Sequence, residues 1–423
     1  MEYVRRFVDD QLDKMMSVLP AIALEGAKGV GKTATALQRT NDVFTLDDEG
    51  TQQIIAGNPS LVTQGRDTAF IDEWQNVPSV WNAIRHAVDE GASPRSFLLA
   101  GSASPKPDAR IHSGAGRIVR LFMRPLSLPE RGLEQTTVSL RELLIGDSPP
   151  VEGSTSLTAF DYIQEILGSG FPGIRSALPD ARTYLLQSYV DRIVDRDVDE
   201  MGQRSRRSAL IRAWLTAYAA ATSTTASYSS LLDAATPGQP VKPTKVTAIV
   251  YRDLLQRLWI LDPLPAWIPG FGHFERLAQS PKHHLIDPAL AALLVGTTQA
   301  SLVRGEGPPS QKQDGTFLTA LFESLAVQTV RVLAETCGCT VAHFRTHGGD
   351  HEVDLIIQRP DQRIVAVEVK LSTTIHNKDV RNLNWLQANT SNTVLDKVIL
   401  NTGTRAYRRF DKIAVIPLGL LGL

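Results

Sequence analysis

The sequence predicts a multidomain α/β protein with a parallel sheet at its amino end, a helical middle containing a winged-helix unit, and a second α/β domain at its carboxy end. Three observations predict this. Between residues 20 and 123, short apolar runs alternate with stretches of helical periodicity, the pattern of parallel strands joined by crossover helices. From residue 159 to about 261 the text is helical. From Phe317 a long apolar helix leads into three or four strands with a helix between them. A chain of 423 residues has room for roughly two to four domains with cores of their own.

Val4, Phe7, Val8, Leu12 and Met15 recur at helical spacing over residues 3–18, and Pro20 ends that helix. AIALEG is then a short buried strand, and ATALQRT continues a helix out of a glycine-rich turn. DVFTL and TAFID are the second and third strands, SVWNAIRHAVDEG a helix, SFLLAGS the fourth strand and RIVRLFM the fifth. Pro125 and Pro129 in PLSLPERG stop the pattern. Residues 133–160 are mixed and polar, with the loop-like DSPPVEGSTS. The helical text beyond them ends in VTAIVYRDLLQRLWILDPL, where helices followed by an apolar segment predict the winged helix. A Pro/Gly-rich connection with one helix around DPALAALL fills residues 263–310. The chain therefore divides into a parallel-sheet domain (1–132), a helical linker or lid (133–185), a winged-helix-like domain (186–265), a connector (266–310) and the last α/β domain (311–423). There is no internal repeat and no long low-complexity tract.

Hydrophobic residues at 43% and charged residues at 21% are ordinary for a globular protein, which excludes a disordered or fibrous chain. A formal net charge of -1 carries no global basic signal, so any nucleic-acid contact has to come from local patches. Cys337 and Cys339 flank Gly338, too close to pair without strain and too few for a zinc site, so both are expected as reduced thiols. The amino terminus carries acids where a signal peptide needs an apolar core, and no apolar run reads as long enough to span a bilayer. The expected location is the cytoplasm, away from membranes.

GAKGVGKT at residues 26–33 matches G-x-x-x-x-G-K-[ST] in full, between an apolar strand and a helix. Its members are Gly26, Ala27, Lys28, Gly29, Val30, Gly31, Lys32 and Thr33. Glycines let the backbone curl so that its N–H groups face phosphates. The start of the helix favours negative charge. Lys32 reaches the β and γ phosphates, and the Thr33 hydroxyl ligates Mg²⁺. AFIDE at 69–73 is an apolar strand ending in two acids: Asp72 to hold Mg²⁺ through water, Glu73 to orient and activate the attacking water. Ser102, ending FLLAGS, would lie beside the γ-phosphate if its strand neighbours the first. Arg117, in GAGR ahead of the fifth strand, could reach a neighbouring subunit's γ-phosphate or be a plain surface arginine. The motifs alone do not select adenine over other bases.

These residues resemble the prokaryotic AAA+-type ATPases whose amino-terminal domain is joined to a carboxy-terminal domain of unknown function, DUF4143. The resemblance runs through GAKGVGKT, FTLDDEG, FIDEWQNVPSVW, LLAGSAS, GAGRIVRLFMRPLSLPE, FPGI, YVDRIVDRDV, LLQRLWI, FRTHGGDHEVDLII and AVEVK, nearly the whole length of the chain. Gly29 and Trp74 depart from the family's usual Gln in the loop and Ile or Val after the Asp-Glu pair. The resemblance implies an ATPase core, a winged-helix middle and a nuclease-like end, and names no substrate.

HEVDLIIQRPDQRIVAVEVKL reads as two strands around an RPDQR turn. Asp354 and Glu368 are equidistant from Asp361, and alternation puts Glu368 and Lys370 on one face, so the three converge, with Glu323 able to join from the preceding helix. Asp, then Glu-x-Lys, with a helical acid ahead of them, resembles the PD-(D/E)XK nuclease core. There Asp354 and Glu368 would hold Mg²⁺, while Lys370 helps activate water. The same residues could equally form only an ion-pair cluster. Basic clusters at 204–207 and 405–409 could grip phosphates or be solvated faces. His283, His284, His347 and His351 have no diagnostic ligand spacing and are read as loop residues.

The combined expectation is an ATP- and Mg²⁺-dependent homo-oligomeric ATPase whose nucleotide state controls a nuclease-like domain acting on DNA or RNA. Two alternatives stand beside it: a non-cleaving switch that binds DNA or a protein, and a protein-remodelling ATPase with an unidentified protein partner.

Overall fold

Five short strands organise the amino-terminal part, each where its apolar run predicts one: Ala21–Glu25 (β1), Asp42–Thr45 (β2), Ala69–Asp72 (β3), Phe97–Gly101 (β4) and Val119–Phe122 (β5). They pair in parallel in the order β2-β3-β4-β1-β5. The fourth strand thus lies between the phosphate-loop strand and the acid strand. β1, β3 and β4 are buried along their whole length, as expected of central parallel strands covered on both faces. Helices Phe7–Met16 (α1), Lys32–Ala36 (α2), Glu49–Gly57 (α3) and Ser79–Asp89 (α4) flank them. α3 is not anticipated by the sequence, because Ile55 is its single buried residue and its apolar periodicity is weak. Its start is nonetheless encoded: the Asp48 carboxylate accepts from the Thr51 amide at 2.8 Å.

The computed structural model describes residues 3–65, 67–102, 114–197, 208–237, 245–267, 280–306 and 316–423. The chain forms two compact units. The first is Met1–Pro125 with Phe171–Ser176 and Leu254–Ile260, and the second is Leu126–Gly170, Ala177–Asp253 and Leu261–Leu423.

The second unit begins with helices and ends on a seven-stranded mixed sheet. Its strands are Gly153–Ser154 (β7), Thr340–Arg345 (β8), Glu352–Gln358 (β9), Ile364–Lys370 (β10), Val394–Asn401 (β11), Arg405–Arg408 (β12) and Ala414–Pro417 (β13), in the order β7-β12-β13-β11-β10-β9-β8. Val138–Ser139 (β6) pairs separately with Leu421–Gly422 (β14). The β9–β10 hairpin pairs Val365 with Ile357 and Val367 with Leu355, each pair equidistant from Asp361, as the sequence symmetry predicts. Helix Phe317–Thr336 runs into this sheet with most of its residues buried.

Two points differ from expectation. Over residues 186–265 the described residues form helices Pro179–Arg192, Ser208–Ala220, Tyr228–Ala235 and Lys245–Arg257. Beyond the last of them Leu261 and Leu264 bridge antiparallel to Leu285 and Lys282 in one register, a short pairing rather than full strands. Pro263 and Pro265, lacking an N–H, keep that apolar segment from extending into a strand. Second, helix Phe317–Thr336 is long and apolar enough by length and composition to cross a bilayer, although no such run was expected. Its apolar character is accounted for by burial inside the second unit. The basic cluster at 204–207 lies outside the described residues.

His343 on β8 is almost fully buried, with Nε2 against the Ser280 carbonyl at 3.2 Å. Burial pushes its pKa down to about 4. The unfolded chain takes up this proton near pH 6.5, while the folded chain does not until about pH 4. Stability is therefore fully present above pH 6.5 and falls as pH drops through that window, by roughly 3 kcal/mol at its lower end. His283 and His284, also lowered by burial, act in the same direction. Melting curves between pH 4 and 7 should show this loss, with a shallower slope for His343→Gln.

Candidate functional site

Gly26 leaves β1 at φ 150°, and a Cβ there would meet the Met123 carbonyl oxygen at 2.2 Å. Only glycine allows the two backbones to approach so closely, and this approach starts the phosphate loop. Ala27 and Val30 are fully buried beneath it, while Lys28 and Gly29 are exposed. Helix α2, Lys32–Ala36, is only five residues long. Lys32 is buried, and its Nζ donates to the Gly26 and Ala27 carbonyls at 2.7 and 2.9 Å. Burial draws its pKa down to about 8, against the opposing pull of Glu73 and Asp72.

The two acids stand at the end of β3. Asp72 is mostly buried, and the Thr33 hydroxyl donates to its Oδ2 at 2.8 Å. Burial raises its pKa, while the Thr33 bond lowers it. A hydroxyl and a carboxylate in contact form a hard oxygen donor set that suits Mg²⁺. Glu73 follows at φ 51°, a left-handed conformation costing a non-glycine residue about 1–2 kcal/mol. Its Oε2 accepts from the Ser102 hydroxyl at 2.6 Å and from the Gln75 side-chain amide. Gln75 also reaches Ser102 at 3.4 Å. Ser102 itself is buried at the end of β4. The structure thus brings Lys32, Thr33, Asp72, Glu73 and Ser102 to one edge of the sheet.

Arg117 lies elsewhere on the unit. It is 44% exposed and pairs through Nε with Asp89 at 2.8 Å. Its Nη1 also donates to the Ala115 carbonyl.

Sequence reasoning missed two members of this site. Gln75 carries no motif, and only its place after the acid pair could have flagged it. Arg6 donates to the Val30 carbonyl at 3.1 Å and to the Arg124 carbonyl at 2.9 Å, bracing the phosphate loop from behind. Nothing in the sequence points from residue 6 to residue 30. Phe171 and Pro172, from the FPGI segment, lie within 3.8 Å of where side chains on Gly29 and Gly31 would begin, so they pack against the loop.

In the second unit the carboxy-terminal acids meet lysines. Lys282 is 1% exposed, and its Nζ contacts Glu323 at 2.8 Å, Glu352 at 2.6 Å and Asp354 at 3.0 Å. The other Asp354 oxygen accepts from the Val369 amide at 2.9 Å. Glu368 pairs with Lys370 at 2.7 Å. Glu323 therefore does join Asp354, but around an ammonium that no sequence signal assigned to this cluster. Among the described residues no group of three or more His, Cys, Asp or Glu side chains is arranged to hold a metal ion. The cluster does not fit Mg²⁺: its donors already surround a cation. In the 405–409 cluster, Arg408 is committed to Asp396 at 2.6 Å and Arg409 to Asp411 at 3.1 Å, which leaves less charge for phosphates.

Residues 19–131 match the family described as an AAA domain. Residues 159–301 and 318–421 match two domains of unknown function, DUF8612 and DUF4143. Among curated proteins the chain is similar to uncharacterized proteins of Mycobacterium bovis and Mycobacterium tuberculosis, each 25% identical over 297 residues. That stretch is 69% of this chain and 60% of each relative's length. Among solved structures it is similar to the Walker-type ATPase PABY2304 of Pyrococcus abyssi (13% identity, 69% of this chain and 96% of that one, TM-score 0.41). It is also similar to the ORC2 protein of Aeropyrum pernix (14% identity, 71% and 96%, TM-score 0.31). With TM-scores this low, neither likeness extends what the strand order and the AAA match already show. The strand order and the AAA match together support an AAA-type, P-loop NTPase-like domain at the amino end, and residues 318–421 match DUF4143.

Proposed function

We propose that this chain binds ATP with Mg²⁺, hydrolyses it, and uses the nucleotide state as a switch. The AAA match supports nucleotide binding and hydrolysis. The observation that carries the finer reading is the contact of Thr33 with Asp72 at 2.8 Å beside the Glu73–Ser102 pair. Thr33 directly, and Asp72 through water, would hold Mg²⁺, which when bound neutralises phosphate charge. Lys32 and the loop amides bind the β and γ phosphates. Glu73 takes a proton from the water that attacks the γ-phosphorus, the bond to the β-phosphate oxygen breaks, and ADP and phosphate leave. Ser102 and Gln75 hold the Glu73 carboxylate in one place, so they determine when it can meet that water.

Downstream, the nuclease-like reading is supported by Asp354, Glu368 and Lys370 lying on one hairpin. The lysine pairing of those acids favours the non-cleaving alternative, a switch that binds DNA or a protein partner. A protein-remodelling role draws on the same ATPase site.

Glu73→Gln should bind ATP normally and hydrolyse it about 10²–10⁴-fold more slowly, the usual worth of a general base. Lys32→Ala should lose affinity and turnover together. Calorimetric ATP titration beside phosphate release separates the two, and near-normal release from folded Glu73→Gln would remove the base from the mechanism.

Arg117 is proposed to act on the nucleotide of a neighbouring subunit in a homo-oligomer, since it is exposed and pinned to Asp89 rather than held by the Glu73 cluster. Arg117→Ala and Lys32→Ala subunits, each inactive alone, should regain part of the wild-type rate when mixed. No recovery in a mixture whose subunits demonstrably exchange would leave Arg117 a surface residue.

A further inference from the structure

We propose that Lys282 is the resident cation of the carboxy-terminal acid cluster, and that its ammonium excludes a divalent metal and makes this domain non-cleaving. The inference concerns residues apart from the nucleotide site and does not depend on ATP hydrolysis.

The charges and distances suit an ammonium. A lysine carries three N–H donors, and here three carboxylates lie at 2.6, 2.8 and 3.0 Å. These are hydrogen-bond separations. Mg²⁺ takes its oxygens at about 2.0–2.1 Å in a near-octahedral shell, so the acids would have to close in after the ammonium had left.

The parts involved are held against both movements. The backbone of Lys282 is fixed by reciprocal bonds with Leu264, N–H to carbonyl in both directions at 2.9 Å. The next residue, His283, donates its amide to the Thr224 carbonyl at 2.8 Å. The Lys282 side chain is itself buried. Glu323 stands in the middle of the buried helix Phe317–Thr336. Asp354 is held from its other side by the Val369 amide. Removing an ammonium from three carboxylates would leave buried charge without compensation, the most costly way to disturb an ion cluster.

The cluster also has a positive role. It ties three segments distant in sequence, around residues 282, 323 and 352–354, through one side chain. Glu368 and Lys370, the remaining members of the nuclease-like set, pair with each other at 2.7 Å.

The test is Mn²⁺ binding by the full-length chain, followed by electron paramagnetic resonance without nucleotide and compared across variants. Wild type and Asp354→Asn should bind the same number of Mn²⁺ ions. Loss of one site in Asp354→Asn would overturn the proposal. Lys282→Ala should gain one Mn²⁺ per chain, and millimolar Mn²⁺ should raise its melting temperature by several degrees while leaving that of wild type unchanged. The gain should vanish in Lys282→Ala/Asp354→Asn. A folded Lys282→Ala that gains no site would show that the ammonium is not what excludes the metal. Should Lys282→Ala fail to fold, cleavage by wild type decides. Single- and double-stranded DNA and RNA should stay intact with Mg²⁺ or Mn²⁺, with or without ATP. Metal-dependent cleavage that disappears in Glu368→Gln would overturn the proposal.

Discussion

The amino-terminal unit depends on three parallel strands ending level with one another. Glu25 at the end of β1 pairs with Gly101 at the end of β4, and Ala100 pairs with Asp72 at the end of β3. Residues just past those ends are consequently neighbours: the phosphate loop, Ser102 and Glu73. A slip of one residue would turn every side chain of the strand to the opposite face, burying Asp72 on the wrong side. Gly101 is part of this constraint. A Cβ there would lie 2.8 Å from the indole nitrogen of Trp74, which packs across the strand end. Trp74 in turn packs on Trp81 of α4, with ring centroids 4.6 Å apart, an arrangement worth about 0.5–1.5 kcal/mol beyond area burial. Trp74 thus forms part of the wall behind the strand ends that carry Asp72 and Ser102.

A buried polar network holds the other side of the phosphate loop. Asp9 is fully buried and pairs with Arg39 at 2.8 Å. It also accepts from the Tyr3 hydroxyl and the Arg6 amide, both at 2.6 Å. Tyr3 reaches Thr35 of α2 at 2.9 Å, and the Arg6 guanidinium reaches the loop carbonyl of Val30. Such a network adds little net stability, because desolvating the charges offsets most of their attraction. Its effect is positional: removing one member would strand buried charge, so α1 and the loop are confined to one arrangement. That rigidity would suit the proposed phosphate site, where amides and a lysine are presented at fixed places.

The sequence made the elements of this unit legible wherever the signal was local. Each of the five strands coincides with an apolar run, and the phosphate loop with an uninterrupted motif. The acid pair was readable as a pair because a strand that follows such a loop and ends in Asp-Glu puts two carboxylates beside the loop, where Thr33 meets Asp72. What escaped was carried by distance. Arg6 bonds residue 30, Gln75 bonds Ser102, and Lys282 bonds acids at 323, 352 and 354, and no periodicity or spacing links such positions. The winged helix has only a partial counterpart among the described residues. Its apolar ending was real, and Leu261 and Leu264 there pair antiparallel with Leu285 and Lys282, the prolines around them limiting that pairing to single bridges. The β9–β10 hairpin succeeded because symmetry about a turn is itself a local property.

The two acid sites show how one short-range choice separates open chemistry from closed structure. Both place a carboxylate at or near a strand end, mostly shielded from water. Asp72 is met by a hydroxyl, which is neutral, accepts as well as donates, and leaves the negative charge available to an incoming cation. Asp354 is met by an ammonium, which can only donate and cancels the charge from within the chain. In the first case burial raises the pKa of the acid, so the unneutralised site is held at a cost that a bound cation can relieve. In the second the lysine already supplies that relief. A sequence pattern of acids and a lysine cannot tell these outcomes apart, because the deciding residue in each lies dozens of positions away: Thr33 for Asp72, Lys282 for Asp354.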